Sequence, residues 1–134
     1  MIGGSCCCGA IRFTLTAPPS MLAICHCSRC RKAGASAFVF VDKADFHWVA
    51  GQELVQRFVP APPYKLIRSF CRVCGSGLGE IGSDDQSFPV AANLLDDDFG
   101  LRPRFHEFVD EKPAWYEICD DAKQFPRHPV RSSA

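Results

Sequence analysis

The chain has 134 residues, 47% of them hydrophobic, and its 15 Lys and Arg balance 15 Asp and Glu. A length of this order fits one domain, residues 1–134, with enough apolar material for its own core. Balanced charge without a basic run gives no electrostatic case for nucleic acid or an anionic membrane surface. The longest strongly apolar run, "AFVFV" at 37–41, is too short to span a bilayer.

The N-terminus "MIGGSCCCG" lacks the basic region followed by an apolar region that marks a secretory signal, so a cytoplasmic location is expected. Next, "AIRFTLT" (10–16) alternates Ile11, Phe13 and Leu15 with polar neighbours, the period of a half-buried strand. A short helical turn fits "SRCRKAG". Strands are expected at 36–42, 46–50, 54–59, 65–71, 77–82, 87–95 and 104–110, with turn signals such as "PAPP", "GSDD" and "DDDFG" between them. Pro113 and Pro126 limit any helix in the tail. Strands without intervening helices predict an all-β fold of small antiparallel sheets.

Nine cysteines carry the chemistry. An odd number, no export signal and CxC or CxxC spacings favour metal ligation over a disulfide framework. "FCRVCGS" places Cys71 and Cys74 in a knuckle whose following Gly75 can take a positive φ. In "SCCCG", Cys6 and Cys8 are two apart and face the same way in an extended chain, while Cys7 points elsewhere. Cys6, Cys8, Cys71 and Cys74 together make a closed four-sulfur site, the structural kind.

The remaining cluster is "ICHCSRC", with Cys25, Cys27 and Cys30. All three can reach one ion, and no fourth sulfur stands beside them. Either His26 or a distant residue completes a second structural site, or one position is kept open, as chemistry requires. His26 lies between two ligands and is expected to point away from their face.

The segments "GSCCCGAIRF", "CHCSRCRKAGASAF" and "FCRVCGSGL", with the tail "KPAWYEICDDAKQFP", resemble the glutathione-dependent formaldehyde-activating enzyme family, which includes centromere-protein-V-like proteins. The resemblance implies a zinc-stabilised β-tent fold. It implies two zinc ions, one structural on Cys6, Cys8, Cys71 and Cys74 and one catalytic on Cys25, Cys27 and Cys30. It also implies condensation of formaldehyde with glutathione to S-hydroxymethylglutathione, a carbon–sulfur lyase reaction. Many members carry His where this chain has Cys7; facing the second zinc, Cys7 would close its open position, and otherwise it is a free thiol, the reading adopted.

An ion on three thiolates is a weaker Lewis acid than one on three neutral imidazoles, and soft sulfur suits it, so a thiol substrate is expected rather than hydrolysis. Glutathione brings two carboxylates, and Arg29, Arg31 and Lys32 beside the cluster are the candidate receivers. His47, His106 and His128 are read as surface or core polar groups. Trp115, Tyr116 and Phe125 are read as core or sheet-covering residues, and Cys119 as a small core residue. The leading function is a zinc-dependent carbon–sulfur lyase acting on a glutathione–aldehyde adduct or a related thiol. The alternative is a non-catalytic zinc module that binds a protein partner, with a fourth protein ligand on the second ion.

Overall fold

A computed structural model describes residues 1–130. Among these residues are eleven strands: β1 (Ile2–Ser5), β2 (Arg12–Leu15), β3 (Met21–Cys25), β4 (Ala37–Asp42), β5 (Phe46–Ala50), β6 (Val55–Phe58), β7 (Arg68–Cys71), β8 (Gly77–Gly79), β9 (Ser87–Ala91), β10 (Pro103–Glu107) and β11 (Lys123–Gln124). Among the described residues there is one α-helix, α1 (Ser28–Ala33), which follows β3, and four single-turn 3-10 helices. The strands form a three-stranded sheet, β1-β2-β5, and an eight-stranded sheet, β11-β10-β3-β4-β9-β8-β7-β6.

The alternation in β2 does what its sequence predicts. Ile11, Phe13 and Leu15 are essentially inaccessible, and Arg12 is exposed. Phe13 stacks on Phe46 at 5.1 Å, and Phe46 meets Phe88 edge-on at 5.5 Å. This aromatic seam joins the two sheets through one core that also holds Val39, Leu78, Ile81 and Val90. Burying one such Phe contributes about 1.5–3 kcal/mol.

β1 was not legible, because "IGGS" is poor strand material. Its glycines serve packing. A Cβ at Gly4 would stand 2.1 Å from Phe13 Cζ, so only hydrogen fits there. β1 survives through its antiparallel pairing with β2, from Ile2 opposite Leu15 to Ser5 opposite Arg12.

The pairings are antiparallel except at one edge. β10 lies parallel to both β3 and β11. Parallel neighbours need a long crossover rather than a hairpin, and β3 and β10 are far apart in sequence. This register sets Glu107 beside Cys25 and His106 beside Ile24. Glu107 thereby reaches the wall of the site that Cys25 begins.

In the tail, Phe125 is half-buried and meets Phe105 edge-on at 5.8 Å. Trp115 is 81% exposed, Tyr116 42%, and Cys119 is exposed too. The expectation of core or sheet cover is corrected for Trp115 and Cys119, since residues 112–122 run outside any strand. Tyr116 does cover, its ring tilted 5.6 Å from that of the buried His26. Among the described residues, no helix is long and apolar enough to cross a membrane.

Candidate metal centres

All nine cysteines are free thiols, and seven gather into two clusters. In the first, the ligand atoms of Cys6, Cys8, Cys71 and Cys74 lie within 4.8 Å of one another. Cys6 and Cys8 leave the end of β1. The Cys6 amide donates to Ile11 O at 3.1 Å, and the Ile11 amide donates to Cys6 Sγ at 3.4 Å. Cys71 ends β7. The Gly75 amide returns to Cys71 O at 2.8 Å, with Gly75 at φ 79°, the knuckle its spacing predicts. The Cys7 amide donates to Ser76 Oγ at 2.9 Å and joins the two segments.

The sulfur separations test what this cluster can hold. Cys6 and Cys8 are 3.6 Å apart, and Cys8 and Cys71 are 4.0 Å apart. Four sulfurs placed tetrahedrally about an ion at about 2.3 Å are about 3.8 Å apart, so these edges fit zinc. The Ser76 hydroxyl, 3.2 Å from Cys74 Sγ, leads the interactions that bring the Cys74 thiol down to about 5. A thiolate is the form that ligates.

The second cluster is local. Cys25 ends β3, Cys27 caps the N-terminus of α1, and Cys30 lies one turn inside it. The three ligand atoms again lie within 4.8 Å of one another. Cys25 and Cys30 are buried and Cys27 is half-buried. The Cys30 amide donates to Cys27 Sγ at 3.2 Å, which is the capping bond of the helix. Hydrogen bonds from the Cys25 and Cys30 thiols bring Cys27 down to about 2. Cys25 moves the other way, raised by Cys27, by Cys30 and by burial. Three soft sulfurs whose ligand atoms lie within reach of one point are a fit for zinc.

A cleft of about 740 Å³ opens on Cys25, Cys27 and Cys30. Cations and carboxylates share its wall. Arg68 approaches Cys30 Sγ at 3.6 and 3.7 Å through its two terminal nitrogens. Arg29 stacks over the Tyr64 ring, 3.8 Å from its centroid, and Lys65 lines the same cleft. Glu107 is half-buried, its carboxyl raised above the usual range by burial, and it faces His128 at 3.8 Å. Glu111 accepts from the Ser28 amide at 3.0 Å.

Of the three basic residues singled out from sequence, Arg29 lines this cleft. Arg31 and Lys32 are exposed on α1 and are not among its lining residues. Lys32 borders a neighbouring hollow of about 460 Å³ with Ala33 and Phe70. Sequence reasoning missed Arg68, Lys65, Glu107 and Glu111. Arg68 and Lys65 come from the approach to and start of β7, and Glu107 comes through the parallel crossover. No local spacing announces any of them.

His26 does point away from the sulfurs. It is 4% exposed, and its Nε2 lies 2.8 Å from Nδ1 of His106, itself 2% exposed. His106 Nε2 lies 3.0 and 3.1 Å from the two oxygens of Asp120. Burial is the leading cause that lowers the His26 pKa. Asp120 is held below the usual carboxylate range by its hydrogen bond with His106. Cys7 is exposed and belongs to neither cluster. His47 and His128 are exposed.

Comparison with known proteins places these features among relatives. Residues 1–111 match the model of a family described as glutathione-dependent formaldehyde-activating enzyme. A Halomonas elongata protein, whose own name carries that assignment as provisional, is 33% identical over 130 residues, covering 88% of this chain and 81% of its own. A Rhodobacter sphaeroides protein of known crystal structure is similar with a TM-score of 0.57 and 26% identity, over 76% of this chain and 92% of its own.

Proposed function

The chain belongs to the glutathione-dependent formaldehyde-activating enzyme family, and from that premise we propose that it is a zinc-dependent carbon–sulfur lyase acting on a glutathione–aldehyde adduct such as S-hydroxymethylglutathione. Two zinc ions are the cofactors, one structural on Cys6, Cys8, Cys71 and Cys74 and one catalytic on Cys25, Cys27 and Cys30. Zinc at the second cluster supplies a soft, Lewis-acidic position that favours a substrate sulfur in its thiolate form. The observation that carries the reading is that this cluster opens on a roomy cleft while both fourth ligands imagined from sequence are placed elsewhere. His26 is turned to His106, and Cys7 is exposed. That arrangement speaks against the binding-module alternative.

The chain's own groups handle the rest of the substrate. Glutathione carries two carboxylates and one ammonium. Arg29, pre-oriented by its stack on Tyr64, together with Lys65 and Arg68 receives the carboxylates. Glu107 and Glu111, on the opposite sequence segment, receive the ammonium. In the condensing direction a carbon–sulfur bond forms, the carbonyl π bond breaks, and the thiol proton ends on the new hydroxyl oxygen. In the lyase direction the same changes reverse. Holding thiol and aldehyde together in the cleft makes the encounter effectively unimolecular.

Calorimetry tests the assignment. Glutathione should bind at least about tenfold more tightly than 2-mercaptoethanol, since tenfold needs only about 1.4 kcal/mol and one well-formed charge-assisted contact gives about that much. Binding of both should vanish in Cys27→Ser. Equal affinities would remove glutathione as the substrate, and binding that survives Cys27→Ser would remove the second cluster from the mechanism.

A further inference from the structure

We infer that Asp120, acting through His106 and His26, is a positioning residue for the three-cysteine cluster: the hydrogen-bonded chain behind the sheet fixes the segment from which Cys25 and Cys27 aim. The inference rests on the reading that Cys25, Cys27 and Cys30 hold a metal.

Strand alternation divides the work. Cys25, Cys27 and Glu107 face the cleft, while His26 and His106 face the other side. The imidazoles bond nitrogen to nitrogen at 2.8 Å, so one ring donates and the other accepts. The outer partner decides which. The Asp120 carboxylate accepts from His106 Nε2–H, which leaves His106 Nδ1 bare to accept from His26 Nε2–H. The carboxylate is itself held by the Ala122 amide at 3.0 Å. One exposed carboxylate thus sets the direction of two buried rings.

His26 is also fixed through its backbone. Its amide donates to Glu107 O at 2.9 Å, and the Cys25 amide before it donates to Ser36 O at 2.8 Å. With main chain and ring both pinned, the residue between the two ligands cannot rotate, and the sulfurs on either side keep their common aim. Packing alone does not call for this arrangement. An apolar pair of matching shape would fill the space without two polar rings to satisfy. The chain also links three remote parts of the sequence, the end of β3, β10 and the tail. Asp120 accordingly bears on a cluster that opens on the other side of the sheet.

The test uses the full zinc-loaded chain, with the two metals titrated separately by chelator competition and the second cluster read by the absorption of substituted Co²⁺. Asp120→Ala should weaken the metal at Cys25, Cys27 and Cys30 about 10–100-fold. It should alter the Co²⁺ spectrum of that cluster and leave the four-cysteine metal unchanged. Asp120→Asn keeps an oxygen that accepts from His106 and from the Ala122 amide, so it should stay within about twofold to threefold of wild type. His106→Phe should reproduce the loss seen in Asp120→Ala. Unchanged second-cluster affinity in Asp120→Ala would overturn the inference. So would an Asn variant as damaged as the Ala variant, or both metals loosening together. A wild-type chain holding metal only at the four-cysteine cluster would overturn the underlying reading as well. Two metals with an indifferent Asp120→Ala overturn the inference alone.

Discussion

The two cysteine clusters use the same side chains to different ends. The four-cysteine cluster takes its sulfurs from both ends of a long stretch of chain, Cys8 and Cys71 being 63 residues apart. The three-cysteine cluster takes all of its sulfurs from one strand end and the first turn of the following helix. Closing a long loop by ligation makes binding free energy part of folding free energy. Closing a short one makes a site that can be emptied while the sheets stay paired. The first cluster belongs to the fold and the second to the cleft.

The hardest blow to that contrast is Cys71→Ser. Structural zinc ligation is worth about 10–16 kcal/mol in small peptides, as much as a typical domain's whole stability. The variant should be insoluble or unfolded at 25 °C, read by circular dichroism and metal content. A variant that keeps its melting temperature would mean that the first cluster is dispensable.

Phe13→Ala sharpens the same side of the comparison without touching a sulfur. It empties the seam between the sheets and removes the ring that covers Gly4. A loss of about 3–5 kcal/mol is expected in denaturant unfolding. Thiol affinity at the second cluster should not follow it, because the cleft lies outside that seam.

Cys30→Ser should do the opposite. About one equivalent of metal is lost, and the melting temperature moves by only a few degrees, as for a change of about 1 kcal/mol. Two tightly held metals in this variant would show that Cys30 is no ligand. Arg68→Ala is subtler again. The fold and both metals should persist while glutathione affinity falls about tenfold or more, the effect of one charge-assisted contact. Arg31→Ala, on the exposed side of α1, should leave affinity unchanged within about 0.5 kcal/mol. If Arg31 matters as much as Arg68, the cleft is not where the carboxylates go.

What was legible in the sequence follows from range. The partition of seven cysteines depended on CxC and CxxC spacings, which are local, and the structure gathers the same two sets. The strand over β2 was legible because Ile11, Phe13 and Leu15 alternate, and β5 matched the predicted 46–50 to the residue. β1 was not legible, because Gly3 and Gly4 hide a strand that exists by pairing. The cleft was only partly legible. Arg29 adjoins the cysteine signature, whereas Arg68 and Glu107 arrive through pairings that no window of sequence contains. His106 looked like a scattered histidine until the parallel register of β3 and β10 set it against His26.

The distance between the halves of the four-cysteine cluster also sets an order in time. A ribosome adds about 5–20 residues per second, so Cys71 is made several seconds after Cys8. The three-cysteine set is complete by residue 30. A growing chain in the presence of zinc therefore carries five of the seven clustered sulfurs before the last pair exists. The three-cysteine set is the first able to capture an ion, and Cys6 and Cys8 are left competing for that ion until the knuckle emerges. The supply of free metal during synthesis then governs how much of the chain reaches its proper ligation, quite apart from the stability of the finished molecule.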